Sequence, residues 1–475
     1  MAMHIVGRKR EQDELRRYCE SGRPEFVVVY GRRRVGKTFL VREYFNGSFA
    51  FRATGIARGS ARMQLKAFCK ELVRYGYEGE SPADWVDAFY ALRDLLESGG
   101  AKRDAASGRL VVFLDELPWL AGARGDFLAA LELFWNGWAS GQPDVVLVVC
   151  GSATSWIAKN LFSNHGGLHN RVTGRIYLEP FTLCECVDYF VSHDLVLSRN
   201  EVLESYMVFG GVPYYYDQFD RRLSVAQNVD RLCFYAHGQL RNEFNELFAS
   251  LYRHADRHVA VVRALARSER GLTRSDVERA SGVSGGGTLS KTLEELELSG
   301  FIRKYTDFSK PKNEAVFQLV DPFTLFWLRF VEGTSNDHWW TENLQSARVR
   351  SWMGRAFELV CLLHVPQMLG ALGTAGVSCS VCSWRSRRAD PGAQIDLLID
   401  RADGVINVCE MKYAHDLFAI DKSCDRALRH RCEAFLGETQ TKKTLRVTLV
   451  TVYGVATGKY ASVVQNVITA EDLFA

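Results

Sequence analysis

Two groups of residues have the types and spacing of chemical sites. The first is a glycine-bounded run that satisfies G-x-x-x-x-G-K-T: Gly31, Arg32, Arg33, Arg34, Val35, Gly36, Lys37 and Thr38. In this pattern the backbone N–H groups surround a β-phosphate, the lysine reaches the β- and γ-phosphates, and the hydroxyl takes one Mg²⁺ coordination site. We therefore predict that residues 31–38 bind ATP with Mg²⁺.

An acidic pair and a serine follow two later apolar runs. Asp115 and Glu116 end the run 110–114, where Asp115 would hold Mg²⁺ and Glu116 would polarise the attacking water. Alone, such a pair is more typical of a solvated strand end; after a phosphate loop the active-site interpretation is favoured. Ser152, after the run 145–150, would bond the γ-phosphate or cap a helix, and these two alternatives stay open.

The second group combines three carboxylates with a lysine, namely Glu358, Asp396, Glu410 and Lys412. Alternate residues of a strand share a face, so Glu410 and Lys412 are expected on one side. We predict metal-dependent phosphodiester cleavage, with Asp396 and Glu410 binding Mg²⁺ or Mn²⁺, Glu358 supporting the site and Lys412 orienting water. The alternative is a fold that binds nucleic acid or a partner without cutting.

Three basic residues and two histidines lie near this group. Arg385, Arg387 and Arg388 form a local basic patch that would suit a phosphate backbone, or equally a solvated turn. His364 and His415 are interpreted as structural residues rather than as ligands. A zinc knuckle at Cys379 and Cys382 is disfavoured because no second pair follows at the required distance.

The elements that must position the first group read as alternating strands and helices. Apolar runs at 26–30, 110–114 and 145–150 are separated by helical stretches, which predicts a parallel sheet with crossover helices over residues 1–180. Residues 181–250 are rich in helix formers and aromatics. We expect them to continue this unit as a helical lid.

Residues 251–332 predict three helices and then a β-hairpin, the order of a winged helix-turn-helix. The helices are expected at 258–267, from the capping Thr273 to 280, and at 289–299, and the strands at 301–305 and 315–320. Arg303, Lys304, Lys310 and Lys312 would contact a DNA backbone. The third helix is acidic, so docking within the molecule is weighed equally with DNA contact.

Residues 333–475 predict an α/β sandwich that carries the second group. Helices are expected at 352–363 and 420–436, and strands at 377–384, 394–399, 405–412 and 445–453. The fold class is thus multidomain α/β: a P-loop NTPase with a parallel sheet, a winged helix and a carboxy-terminal α/β domain.

Composition sets broader bounds on the 475-residue chain. With 47% hydrophobic and 24% charged residues it is too apolar for disorder, and a net charge of +3 neither requires nor forbids nucleic acid. No apolar run approaches the roughly 18 residues of a membrane span, so no membrane partner is expected. The amino-terminal residues lack a secretory pattern, and the twelve cysteines suit a reducing compartment, so we expect the cytoplasm.

Four segments together resemble the archaeal-type ATPases of the STAND group of P-loop NTPases, which are AAA-like. They are residues 6–11, the loop 31–38, residues 113–119 and residues 210–215. The resemblance implies that Gly7, Arg8 and Pro213 contact the nucleotide base region. It also implies that Arg171 or Arg175 acts as an arginine finger, with a surface role for each equally open, and it leaves a homo-oligomer open.

Residues 392–399 and 408–413 resemble the PD-(D/E)xK nuclease superfamily, in the version fused behind such ATPases. One departure is Ile395, which stands where the motif name has proline. Together the resemblances imply nucleotide-gated DNA cleavage, in genome maintenance or in defence against foreign DNA. The rival interpretation is a nucleotide-switched DNA-binding or scaffold protein whose last domain does not cut.

Overall fold

The computed structural model describes residues 5–122, 125–163, 168, 170–252, 254–308, 315–386 and 388–475. These residues form two compact units, Met1–Pro180 and Phe181–Ala475. The first boundary coincides with the predicted end of the nucleotide-binding core. Residues 181–250, expected to continue that core as a lid, group instead with the second unit. The predicted Lys310, Lys312 and Arg387 lie outside the described residues.

The first unit is built on a five-stranded parallel sheet in the order β2-β3-β4-β1-β5. Its elements are α1 Lys9–Cys19, β1 Glu25–Tyr30, α2 Lys37–Tyr44, β2 Phe51–Thr54, α3 Ala61–Arg74, α4 Trp85–Glu97, β3 Leu110–Asp115, α5 Leu117–Ala121, α6 Asp126–Gly137, β4 Val145–Gly151, α7 Thr154–Ile157 and β5 Gly174–Tyr177. The predicted parallel sheet is confirmed.

Both faces of this sheet are covered, which explains why its central strands are continuously apolar. In β1, Phe26 and Val28 belong to one buried cluster while Val27 and Val29 belong to another. Because successive side chains of a strand point to opposite faces, the two clusters are the two layers of the core. The carboxyl ends of β1, β3 and β4 therefore emerge together from a rigid support.

The second unit begins with helices α8 Leu183–Ser192, α9 Arg199–Phe209, α10 Pro213–Tyr216, α11 Val225–Val229 and α12 Glu243–Leu251. A segment that we call the helix–hairpin module, residues 255–319, follows. It contains α13 Ala255–Ala266, β6 Leu272–Thr273, α14 Arg274–Ser281, α15 Gly287–Leu298, β7 Ile302–Tyr305 and β8 Val316–Leu319. The strands form an antiparallel sheet in the order β6-β8-β7.

Local signals account for the module's helices. Thr273 caps α14 by accepting a hydrogen bond from the Asp276 N–H, and Gly282 ends that helix with a φ of 68°. The predicted cap and turn are both confirmed. The predicted three helices and two-stranded hairpin are present, and β6 adds a short third strand.

The last part of the second unit carries a mixed sheet in the order β13-β12-β11-β10-β9. Its elements are α16 Pro322–Phe326, α17 Trp339–Asn343, α18 Ala347–Leu363, α19 Val365–Ala371, β9 Cys379–Arg385, β10 Gln394–Arg401, β11 Val405–Lys412, α20 Lys422–Thr439, β12 Thr444–Thr451 and β13 Asn466–Thr469. Strands β9 to β11 are antiparallel, and β11 to β13 are parallel.

No helix in the described ranges is both long enough and apolar enough to cross a membrane. All twelve cysteines are free thiols, and six of them are buried. The six buried thiols pack as small hydrophobic side chains do.

Candidate functional site

The loop that follows β1 has a backbone that its glycines make possible. Gly31 has a φ of 146°, and a Cβ added there would lie 2.3 Å from the Leu178 carbonyl oxygen. Gly36 has a φ of 92° and immediately precedes α2. Only glycine accommodates the first position without displacing backbone. The predicted order of strand, glycine loop and helix is therefore present.

Lys37 lies at the start of α2 and is only 6% exposed. Its Nζ donates hydrogen bonds to the carbonyl oxygens of Gly31 at 3.0 Å and Arg32 at 2.7 Å. Burial lowers the pKa of this ammonium, while the nearby Glu116 and Asp115 oppose the change. The cation is thus held on the loop itself, beside the place where the motif binds phosphates.

Asp115, at the end of β3, accepts a hydrogen bond from the Thr38 hydroxyl at 3.1 Å. Burial and the neighbouring Glu116 raise the pKa of this carboxyl, against the effects of Thr38 and Arg52. A cation at this point would relieve the unfavourable burial of the carboxylate. A hydroxyl and a carboxylate are also the hard oxygen ligands that Mg²⁺ prefers, so the two residues fit that ion.

Arg52 is a charged neighbour of this site that sequence reasoning missed. Its guanidinium lies 4.0 Å from the Asp115 carboxylate and 5.6 Å from the centre of the Phe113 ring. Strand β2, which carries Arg52, pairs with β3 and was not predicted. The phosphate-loop motif contains no residue from β2. The only sign of Arg52 in the sequence is therefore an arginine between two apolar residues, which does not indicate a site.

Glu116 has an unusual backbone and a specific side-chain partner. Its φ of 49° and ψ of 50° lie in the left-handed region, which non-glycine residues rarely adopt. The Ser152 hydroxyl lies 3.2 Å from both carboxylate oxygens. Ala153 occupies the N-cap position of α7 and makes no side-chain capping bond, so the helix-cap interpretation of Ser152 is wrong. Contact of Ser152 with a γ-phosphate stays a prediction.

The remaining predicted nucleotide contacts are distributed unevenly. Arg8 is buried and donates from Nη2 to the Val35 carbonyl oxygen at 3.2 Å, and Gly7 precedes it with a φ of 61°.

The two candidate arginine fingers have different surroundings. Arg171 is exposed in a turn, whereas the Arg175 guanidinium lies 4.2 Å from the centre of the Phe162 ring. Pro213 begins α10 in the second unit. Of the loop arginines, Arg32 is buried, Arg34 half-buried and Arg33 exposed.

The second predicted group lies on three elements of the second unit, and we call it the acidic site. Glu358 is on α18, Asp396 on β10, and Glu410 and Lys412 on β11. Leu397 pairs with Cys409, so Asp396 and Glu410 follow as the next residues of the two antiparallel strands. The register between β9 and β10 shifts between Ile395 and Leu398, an irregularity of the kind that redirects side chains next to functional sites.

Glu358 has a strongly perturbed acidity. Burial, followed by the negative charge of Asp396, raises its pKa to about 7, and Glu410 adds to this effect while Lys412 opposes it. Asp396, Glu410 and Lys412 therefore lie close enough to Glu358 to act on its carboxyl. Such perturbation is characteristic of functional sites, although structural networks also produce it.

Glu410 is held by two cations. Lys412 Nζ lies 2.8 Å from one carboxylate oxygen, and Arg431 on α20 forms a short ion pair with the other. Burial opposes the charge on Glu410, but the two cations outweigh it and lower the pKa. Arg431 was not predicted, because a helix residue gives no local sign of its partner on a distant strand.

The acidic site as described is an ion-paired network. Among the described residues, no group of three or more His, Cys, Asp or Glu side chains could hold a metal ion. Asp396 is exposed and accepts a hydrogen bond from the Gln394 amide. Two carboxylates on neighbouring strands could still hold a divalent cation with further water ligands, provided that Arg431 released Glu410.

The two predicted structural histidines differ in their surroundings. His364 is 1% exposed, its Nε2 accepts from the Leu183 N–H at 3.0 Å, and its Nδ1 lies 2.8 Å from the Val360 carbonyl oxygen. Both ring nitrogens are occupied, which confirms its structural role. His415 is exposed and lies against Tyr413, with 5.3 Å between the ring centres.

Comparisons with known proteins relate the amino-terminal part of the chain to an ATPase family. Residues 5–219 match the family model described as an ATPase domain predominantly from Archaea. An uncharacterized protein of Methanocaldococcus jannaschii is 21% identical over 332 residues, which are 69% of this chain and 69% of that protein. Residues 5–219 are therefore similar to an archaeal-type ATPase domain, which supports ATP binding by this part of the chain.

Two solved structures are similar at low identity. The Walker-type ATPase of Pyrococcus abyssi has 19% identity and a TM-score of 0.47, and the match covers 69% of this chain and 96% of that one. The ORC2 protein of Aeropyrum pernix, in ADPNP–ADP complexes, has 17% identity and a TM-score of 0.43, with 69% and 93% covered. These likenesses are too distant to assign a function.

Proposed function

We propose that this protein is an ATP-dependent DNA nuclease in which the P-loop of the first unit binds and hydrolyses ATP and the acidic site of the second unit cuts DNA. One observation supports the nuclease half. Asp396, Glu410 and Lys412, from two strands, all lie near enough to the helix residue Glu358 to act on its carboxyl, and Lys412 contacts Glu410 directly. Such a set of acids beside a lysine suits metal-dependent phosphodiester hydrolysis.

In the ATPase half, the chain's own residues bind and orient. Lys37 would exchange the carbonyls of Gly31 and Arg32 for phosphate oxygens, and the loop N–H groups would surround the β-phosphate. Thr38 and Asp115 would hold Mg²⁺, which neutralises phosphate charge when bound. Glu116 would accept a proton from the attacking water, with Ser152 fixing the direction of its carboxylate.

In the nuclease half, Asp396 and Glu410 would hold a divalent cation, which stabilises charge on the phosphate when bound. Lys412 would orient the attacking water and stabilise the developing negative charge. With a pKa of about 7, Glu358 is poised to exchange a proton near neutral pH. The residue supports the site either as a proton carrier or as a neighbouring charge.

The helix–hairpin module would act as a winged helix. The order of three helices followed by an antiparallel sheet supports this assignment. In the first unit, contact of Arg8 with Val35 supports a role for Arg8 beside the nucleotide. Gly7 would lie at the base, and Arg171 or Arg175 would serve as the finger on the γ-phosphate.

A non-cutting scaffold is the second candidate, and one observation favours it. Glu410 is already neutralised by Lys412 and Arg431, so a metal would have to compete with Arg431 for this carboxylate. If that competition failed, the carboxy-terminal domain would bind a partner without cleaving it. The nuclease and the scaffold thus differ in one activity, the cleavage of DNA.

DNA cleavage with Mg²⁺ or Mn²⁺ in the presence of ATP separates these candidates. Wild type should cut at least one of supercoiled, linear, branched and single-stranded DNA, while Asp396→Asn and Glu410→Gln should lose cleavage about a hundredfold or more. Asp403→Asn, on the turn that joins the same two strands, is the matched control and should cut normally. Absence of cutting by wild type on every substrate would establish the scaffold instead.

A further inference from the structure

The helix–hairpin module and the acidic site face each other across one cleft within the second unit. The module contributes Glu269, Arg303 and Tyr305 to its lining, and the carboxy-terminal domain contributes Arg355, Glu358 and Asp396. Two carboxylates of the acidic site, Glu358 and Asp396, thus share a cleft with side chains of the helix–hairpin module.

Contacts at the end of β7 fix the module on this domain. The Phe308 N–H donates to the Ser383 carbonyl oxygen at 2.7 Å, and Asp307 pairs with the same residue of β9 as a single parallel bridge. The Phe308 ring lies 5.0 Å from the Phe435 ring, at the core beneath the sheet. The strand that carries Arg303 is therefore tied to β9, the edge strand of the sheet that carries the acidic site.

Arg303 is oriented by neighbours that leave most of its donors available. Its Nε donates to the Gln318 Oε1 atom at 2.8 Å, and its guanidinium lies 4.6 Å from the centre of the Tyr305 ring. The Tyr305 hydroxyl in turn donates to the Arg270 carbonyl oxygen at 2.7 Å. Within the described ranges, the terminal Nη groups of Arg303 make no hydrogen bond or ion pair.

A guanidinium held in this way is suited to a phosphate. Its planar donors match two phosphate oxygens, and the stacking on tyrosine and the bond to Gln318 reduce the motion lost on binding. Glu358 and Asp396 would repel an approaching phosphodiester, so a positive group in the same cleft offsets part of that repulsion. Arginine on the neighbouring module supplies such a group.

We propose that Arg303 binds a backbone phosphate of the DNA strand that enters the acidic site, so that the module forms part of the substrate site. This inference rests on the proposed nuclease function and adds a substrate-positioning residue to it. Tyr305 and Gln318 hold the guanidinium in place. The module's contact with DNA then lies at the acidic cleft, on strand β7.

Binding can be measured without cleavage in an Asp396→Asn background. Fluorescence anisotropy with labelled single-stranded and duplex DNA should show about tenfold weaker binding for Arg303→Ala, and a slope of log affinity against log salt that is smaller by about one. Arg303→Lys should recover the salt slope but only part of the affinity. A purely structural role for Arg303 would not change the number of phosphates neutralised.

Arg279→Ala is the matched control, since Arg279 on α14 of the same module is exposed and also carries one positive charge. Its removal should weaken binding less than Arg303→Ala does. Equal losses for the two variants, or unchanged binding for Arg303→Ala, would overturn the inference. Circular dichroism and thermal melting identify any variant that fails to fold, in which case Arg303→Lys decides.

Cleavage kinetics supply an independent test. Arg303→Ala in the otherwise wild-type chain should raise KM for DNA and leave kcat nearly unchanged, as expected for loss of uniform binding. Faster cleavage would contradict the inference and identify Arg303 as an obstruction of the site. If wild type never cuts but DNA binding still depends on Arg303, the nuclease proposal fails and the phosphate contact stands.

Discussion

At the residue scale, Glu116 is held in a position that its own backbone preference disfavours. A left-handed glutamate costs on the order of 1 kcal/mol, so its surroundings must impose the conformation. Both carboxylate oxygens lie 3.2 Å from the Ser152 hydroxyl, and Asp115 precedes it beside Thr38. Strain together with a fixed side chain is what a residue that directs water requires.

Glu116→Gln should therefore separate ATP binding from hydrolysis. The amide keeps the shape of the side chain but cannot accept the proton, so single-turnover hydrolysis should slow by about a hundredfold or more while ATP affinity is retained. Phosphate release measures the hydrolysis rate, and calorimetry measures the ATP affinity.

Lys37→Ala should instead lose tight ATP binding, because it removes the cation that faces the β- and γ-phosphates.

Glu80→Gln provides the matched control, because Glu80 is exposed in the segment between α3 and α4. It should leave both quantities unchanged. A single-turnover rate in Glu116→Gln equal to that of wild type would show that Glu116 takes no part in hydrolysis.

The residues that sequence reasoning found and missed differ in one physical respect. Lys37 and Thr38 belong to a contiguous motif whose spacing encodes its geometry. Arg431 and Arg52 act through ion pairs with carboxylates on other elements, Glu410 in one case and Asp115 in the other. Only the folded chain brings such partners together, and no spacing in the sequence specifies them.

At the element scale, helices α18 and α19 meet at His364, whose ring fastens this junction to α8. The Leu183 N–H donates to Nε2, which requires a neutral imidazole. Burial lowers the pKa of His364 from 6.5 to about 4. A depressed histidine pKa contributes stability that is complete above the unfolded value and is lost as pH falls toward the folded value.

His364 should accordingly lower the free energy of unfolding by about 2 kcal/mol when the pH is reduced from about 7.5 to about 5. His364→Gln, whose amide oxygen can accept the Leu183 N–H, should lack this part of the pH dependence. The exposed His415→Gln is the control and should retain it. Urea unfolding of the three proteins at the two pH values measures the difference, and identical pH slopes would refute a neutral buried His364.

In the first unit, the strands that sequence patterns predicted are the interior ones. The interior strands β1, β3 and β4 are buried on both faces and stand out as apolar runs. The strands β2, β5 and β13 lie at sheet edges, span four residues each and include partly exposed positions. A four-residue edge strand buries little apolar surface, so its signal is too short to separate from a loop. The edge strand β9 spans seven residues and was predicted.

At the scale of the whole molecule, two units carry the two sites. The phosphate loop lies in the first unit and the acidic site in the second. Each unit has buried clusters of its own, so a substitution at one site should leave the fold of the other intact. Any dependence of cleavage on ATP would then be a coupling free energy between the two sites.

The most direct test of this coupling is the rate of DNA cleavage with and without ATP, in wild type and in Lys37→Ala, at a fixed Mg²⁺ concentration. Wild type should cut at rates that differ at least about fivefold between the two conditions, while Lys37→Ala should cut at one rate that ATP does not change. Cleavage that responds equally to ATP in both proteins, or no cleavage by wild type in either condition, would contradict a nucleotide-gated nuclease.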